Sequence, residues 1–139
     1  MKRKIVAVCL LGFLASYVGC SPSNESGGSG ANSSEVENFE GYTTYEDQEP
    51  SGGVAIQAGE VAAENRRFFC NPDDPSDSVV CGRTAAEIKD ACDAVESCLS
   101  FLFIRLVGGG QIYAERYTDL VRVKTSPSID YYTKDEPQE

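Results

Sequence analysis

Hydrophobic and polar positions alternate with different periods along the chain. Residues 5–18 form an apolar run broken only by Gly12 and Ser16, and Lys2, Arg3 and Lys4 precede it. A basic start followed by an apolar stretch of this length predicts an export signal. A bilayer-spanning helix needs about 20 apolar residues, and here the run gives way beyond Cys20 to Ser21, Pro22, Ser23, Asn24 and Glu25. A second pattern has helical spacing: Ile88, Ala91, Cys92, Val95, Cys98 and Leu99 recur on one face. Thr84 and Glu87 stand three apart, as a capping box requires. Together they predict a helix over residues 85–97.

Residues 99–107 are aromatic and β-branched and end at Gly108, Gly109 and Gly110. Residues 111–117 follow. Two such runs around three glycines predict a β-hairpin, and residues 120–124 are a candidate third strand. The alternative is a helix that continues to Val107, since a short apolar run has no period that separates the two. The predicted fold is α+β, with one helix packed on a short antiparallel hairpin or three-stranded sheet over residues 54–125.

The remaining stretches carry little pattern. Residues 20–53 begin almost purely in Ser, Gly and Asn and then turn acidic. From Cys20 to Asn65 there are nine acids and neither Lys nor Arg. Such a segment buries too little apolar surface to offset chain entropy, and reads as an extended acidic tether with a mean reach of roughly 30 Å. Phe39, Tyr42 and Tyr45 recur within it, either as a docking motif for a partner or as scattered aromatics of a solvated linker. Residues 126–139 are polar and acidic and read as a disordered tail.

The residues that close the apolar run are informative. Leu14, Ala15, Ser16, Tyr17, Val18, Gly19 and Cys20 resemble the box of bacterial lipoprotein precursors, in which small residues precede a cysteine. Val18 and Gly19 suit that box; Tyr17 departs from it, since leucine is usual there. The resemblance covers about the first 20 residues. It implies that residues 1–19 are removed and that Cys20 becomes the new amino terminus, carrying a diacylglyceryl group. A membrane partner through that lipid follows. In a Gram-negative cell Ser21 would direct the protein to the outer membrane. Each buried lipid methylene contributes about 0.8 kcal/mol, so two or three acyl chains hold firmly.

Charge and chemistry narrow the function classes. Beyond residue 19 there are nine basic residues against 22 acidic ones, a net charge of −13. That opposes nucleic acid and anionic headgroups alike. There is no histidine, which removes the commonest general base and the commonest metal ligand.

With Cys20 assigned to lipid and Cys9 inside the export signal, Cys70, Cys81, Cys92 and Cys98 remain. An even count in a small exported domain predicts two disulfides. Zinc sites want tighter pairs than gaps of 10, 10 and 5 residues. Cys81 lies too close to Thr84 to double back along the helix to Cys92, so it pairs most easily with Cys70. That leaves Cys92 with Cys98, which requires the helix to end near Val95. Cys70–Cys98 with Cys81–Cys92 would need the capping box to be wrong.

Asn71, Asp73, Asp74 and Asp77 gather oxygens as a Ca²⁺ loop does, yet the glycine and glutamate positions of an EF-hand fall on Ser76 and Gly82. Arg66 and Arg67 before Phe68 and Phe69 read as an element entering the core with one wet face. No catalytic residues, metal ligands or cofactor motif stand out. The expectation is a non-catalytic envelope module for a protein or cell-wall partner, with a small enzyme or enzyme inhibitor as the alternative.

Overall fold

The computed structural model describes residues 35–126 and 128–138. The export signal, Cys20 and the first part of the expected tether lie outside the described residues. The folded unit runs from Val36 onward. It is α+β: one α-helix, two antiparallel sheets and two disulfides among the described residues. In chain order the elements are β1 (Tyr42–Tyr45), β2 (Gln48–Pro50), α1 (Ala85–Ala94), β3 (Ser100–Ile104), β4 (Gly110–Tyr113), β5 (Leu120–Arg122) and β6 (Ile129–Lys134). Two 3-10 turns, Ala58–Glu60 and Ala63–Phe68, precede α1.

Helix α1 starts where its capping box places it. The Thr84 hydroxyl accepts from the Glu87 amide, and the Glu87 carboxylate accepts from the Thr84 amide at 3.2 Å. This satisfies amides that have no partner inside the helix. Ala85, Ile88, Ala91 and Cys92 form its buried stripe. The helix stops at Ala94, earlier than the expected residue 97, because Val95 turns extended and the Cys98 amide donates to the Val95 carbonyl. That reversal brings Cys98 back to Cys92, with the Cα atoms 5.2 Å apart. Cys70 and Cys81 form the other pair, at 4.9 Å. A strand follows α1: the chain is reset at Cys98 and enters β3.

The larger sheet has the order β1-β6-β3-β4, and β2 pairs with β5 in the smaller one. Alternate residues of the larger sheet point to opposite faces. Phe101, Phe103, Ile112 and Tyr132 join the cluster under α1. Leu102, Tyr113 and Tyr131 join a second cluster that includes Tyr45 and Leu120. Both faces of β3 are therefore covered, which is why its sequence is a continuous apolar run. Phe101 and Tyr132 stack across β3 and β6 with centroids 4.5 Å apart.

Two expectations about the chain's organisation are corrected. Residues 36–53 do not behave as tether: β1 pairs with β6, and Phe39 and Tyr42 pack on the main cluster. The acids Glu40 and Glu46 stay exposed while the aromatics between them anchor the strand. The three aromatics are thus neither a docking motif nor linker decoration. Residues 126–139 are not a disordered tail either, since β6 lies between β1 and β3 and buries Asp130, Tyr131, Tyr132 and Thr133. Residues 120–124 supply only the short β5, which pairs with β2 instead of extending the hairpin.

Candidate functional site

The hairpin between β3 and β4 holds the most exposed apolar pair near the sheet. Leu106 is 66% and Val107 72% exposed. The turn that carries them is tightly held. The Gly108 amide donates to Ile104, the Gly109 amide to Gly82 and the Arg105 amide to Ser128. Gly108 and Gly109 have φ of 71° and 96°, a region that favours glycine. At Gly110 a Cβ would stand 2.0 Å from the Leu102 carbonyl oxygen, so no side chain fits. The three glycines predicted as a turn are therefore needed for backbone shape and close approach.

Behind the tip lies a charged cluster that sequence reasoning missed. The Arg105 guanidinium reaches Asp47 at 2.5 Å and Asp130 at 3.2 Å. Asp130 is 1% exposed and also accepts from the Asp47 amide at 3.1 Å. Burial raises the Asp130 carboxyl above its ordinary value; the Asp47 amide and the Arg105 charge oppose that rise. Asp47 has φ of 54°, unusual for a residue with a side chain. Tyr132 lies on the same face of β6, its hydroxyl buried without a hydrogen bond. These residues are spread over 85 positions of sequence, and nothing in the polar, acidic segment around Asp130 marked this acid as buried.

A second network ties β1 to α1. The Tyr42 hydroxyl donates to Asp93 at 2.7 Å, and Lys89 pairs with Asp93 at 2.6 Å. Lys134 donates to the Cys92 carbonyl at 3.2 Å. Burial would raise the Asp93 carboxyl, but the bonds from Lys89 and Tyr42 and the charge of Lys134 hold it below its ordinary value. Burial, followed by the bond to Asp93, pushes the Tyr42 phenol up.

The cysteines occupy contrasting places. Cys92 and Cys98 are fully buried beneath α1. Cys70 and Cys81 are both exposed and close the acidic loop. That loop's carboxylates fasten its own backbone: Asp77 accepts from Asn71 at 2.7 Å and Asp74 from the Ser76 amide at 2.9 Å. Among the described residues no three His, Cys, Asp or Glu side chains are grouped to hold a metal ion. Arg66 and Arg67 end a 3-10 turn that feeds the buried Phe69, and Arg67 lies over the Phe68 ring at 4.9 Å.

Two open grooves flank these features. One, of about 410 Å³, is lined by Cys81, Gly82, Arg83, Glu87 and the turn at Val107, Gly108 and Gly109. The other, of about 520 Å³, lies between the 3-10 turns and the end of α1, and Glu60, Glu64 and Glu96 line it. Glu60 is already engaged, accepting from the Gln57 amide at 2.6 Å. Comparison with known proteins adds no family: no family model, no curated protein and no solved structure matches the chain.

Proposed function

We propose that this chain is a lipid-anchored protein of a bacterial cell envelope, and that its folded unit is a non-catalytic binding or structural module. The anchor reading is supported by the basic start, the apolar run and Cys20 with the small residues before it. The module reading rests on one observation: an exposed, backbone-held apolar tip at Leu106 and Val107. Exposed apolar side chains on a rigid turn suit contact with another surface better than chemistry on a small molecule. The second reading, a small enzyme or enzyme inhibitor, is favoured by the carboxylates in the larger groove, where a pair could do acid–base work.

Two measurements test the proposal. Cys20→Ala should move the protein from the membrane to the soluble fraction and abolish incorporation of a labelled fatty acid; an unchanged membrane pool would refute the anchor. A photo-crosslinking residue at Val107 should give one defined adduct in cells that is absent when the same probe replaces Val54, another exposed apolar residue. Identical patterns at both positions would remove the tip as a contact surface.

A further inference from the structure

The two disulfides differ in how a reagent could reach them. Cys92 and Cys98 have no exposed surface and lie within the cluster under α1. Opening that bond requires the helix to lift. Cys70 and Cys81 are exposed, and Cys81 forms one wall of the groove beside the hairpin tip. Thiol–disulfide exchange needs an incoming thiolate to approach the bond in line, so its rate depends on access.

The groove supplies more than access. Val107, 72% exposed, forms an apolar wall, and Arg83 brings an exposed guanidinium to the same groove. Arg83 makes no ion pair with another described residue. Glu87, also in the lining, has its carboxylate engaged by the Arg83 and Thr84 amides. A cation in the groove draws an anionic thiolate towards it. The strand contact around the bond does not depend on it: the Cys70 amide donates to Val79 at 2.8 Å and the Cys81 amide to Phe68 at 2.9 Å. The loop therefore keeps its frame when the bond opens.

We infer that Cys70–Cys81 is a thiol–disulfide exchange site, attacked at Cys81 by the thiolate of a dithiol, protein or small molecule, that approaches through the groove between Arg83 and Val107. The incoming sulfur bonds to Cys81 Sγ, the Cys70–Cys81 bond breaks, and Cys70 leaves as a thiolate that takes a proton from water. The second thiol of the partner then attacks the mixed disulfide. The partner ends as a disulfide, and Cys70 and Cys81 end as thiols. Cys92–Cys98 stays intact throughout. The inference draws on the envelope reading only for the compartment in which the bond forms, and the assay uses purified protein, so it stands or falls apart from the anchor.

The test uses the full chain carrying Cys9→Ala and Cys20→Ala, which leaves the four disulfide cysteines. The native protein is exposed to graded dithiothreitol, quenched with iodoacetamide and mapped by peptide mass. Cys70 and Cys81 should be alkylated at a reductant concentration about tenfold or more below that for Cys92 and Cys98, with far-ultraviolet circular dichroism unchanged. Arg83→Ala should slow this first reduction severalfold. Opening of both bonds together, or of Cys92–Cys98 first, would overturn the exchange site. Selective opening that Arg83→Ala leaves unchanged would overturn the approach at Cys81 past Arg83.

Discussion

Tyr131 and Tyr132 are neighbours on β6, both fully buried, and differ in their hydrogen bonding. The Tyr131 hydroxyl accepts from the Tyr117 amide at 2.8 Å, whereas the Tyr132 hydroxyl has no hydrogen-bond partner among the described residues. A satisfied buried hydroxyl contributes about 1 kcal/mol, and an unsatisfied one costs about 1–3 kcal/mol of desolvation. Tyr131→Phe should therefore destabilise by about 1 kcal/mol, while Tyr132→Phe should be neutral or stabilising. Urea unfolding of the two variants checks the contrast. Asp130 permits a sharper statement. Its raised carboxyl means that the native state holds this proton more tightly than the unfolded chain does. Its contribution to stability is therefore fully present below the ordinary carboxylate value and is lost as pH rises through the raised one. Arg105→Met removes the guanidinium that compensates the charged form. Its cost should be smaller at acid pH than at pH 8, where an uncompensated buried charge adds about 3 kcal/mol to the loss of the Asp47 pair. A constant cost across that range would mean that Asp130 is not the titrating partner.

At the scale of elements, local chemistry decided some features and distant pairing decided others. The capping box at Thr84 and Glu87 is visible in four consecutive residues, and the helix begins there. Thr84→Ala should cost about 1 kcal/mol, read as a lower unfolding midpoint with an unchanged slope. The hairpin was legible because three glycines followed an aromatic run. Gly110→Ala should be far more damaging than Gly52→Ala: the first places a methyl on the Leu102 carbonyl, the second has open space and only an unfavourable φ. Thermal unfolding of both variants measures the difference. Strands β1 and β6 were not legible, since each is short and set in acidic sequence. What orders them is packing of Tyr42, Tyr45, Tyr131 and Tyr132 once β6 pairs with β3, 25 to 33 residues away, and with β1, 86 to 92 residues away. The Asp47–Arg105–Asp130 cluster was hidden for the same reason: it exists only once β6 is in place.

For the molecule as a whole, the folded unit is larger than composition suggests. It starts at Val36, so residues 36–53, expected as tether, belong to it. The four-stranded sheet draws on both flanks that read as disordered. A chain ending at residue 125 loses the strand that bridges β1 and β3, and should show no cooperative thermal transition. Under the reading of a frayed tail the same deletion would be harmless, so calorimetry of the truncated chain separates the two. The disulfides add to stability mainly by restricting the unfolded chain. Their short loops make that contribution local, and it cannot replace the missing strand.

The place of β6 also sets a timetable. Of the described strands it is the last to leave the ribosome, yet it stands in the middle of the sheet. Until synthesis reaches Lys134, β1 has no neighbour in the larger sheet and β3 has only β4. Tyr42 must wait about 90 residues of synthesis for the strand beside it, and Phe101 about 30 for Tyr132, its stacking partner. Closure then joins segments about 90 residues apart, which is slow by its topology. Closure of the larger sheet therefore waits for the last of its described strands to be made.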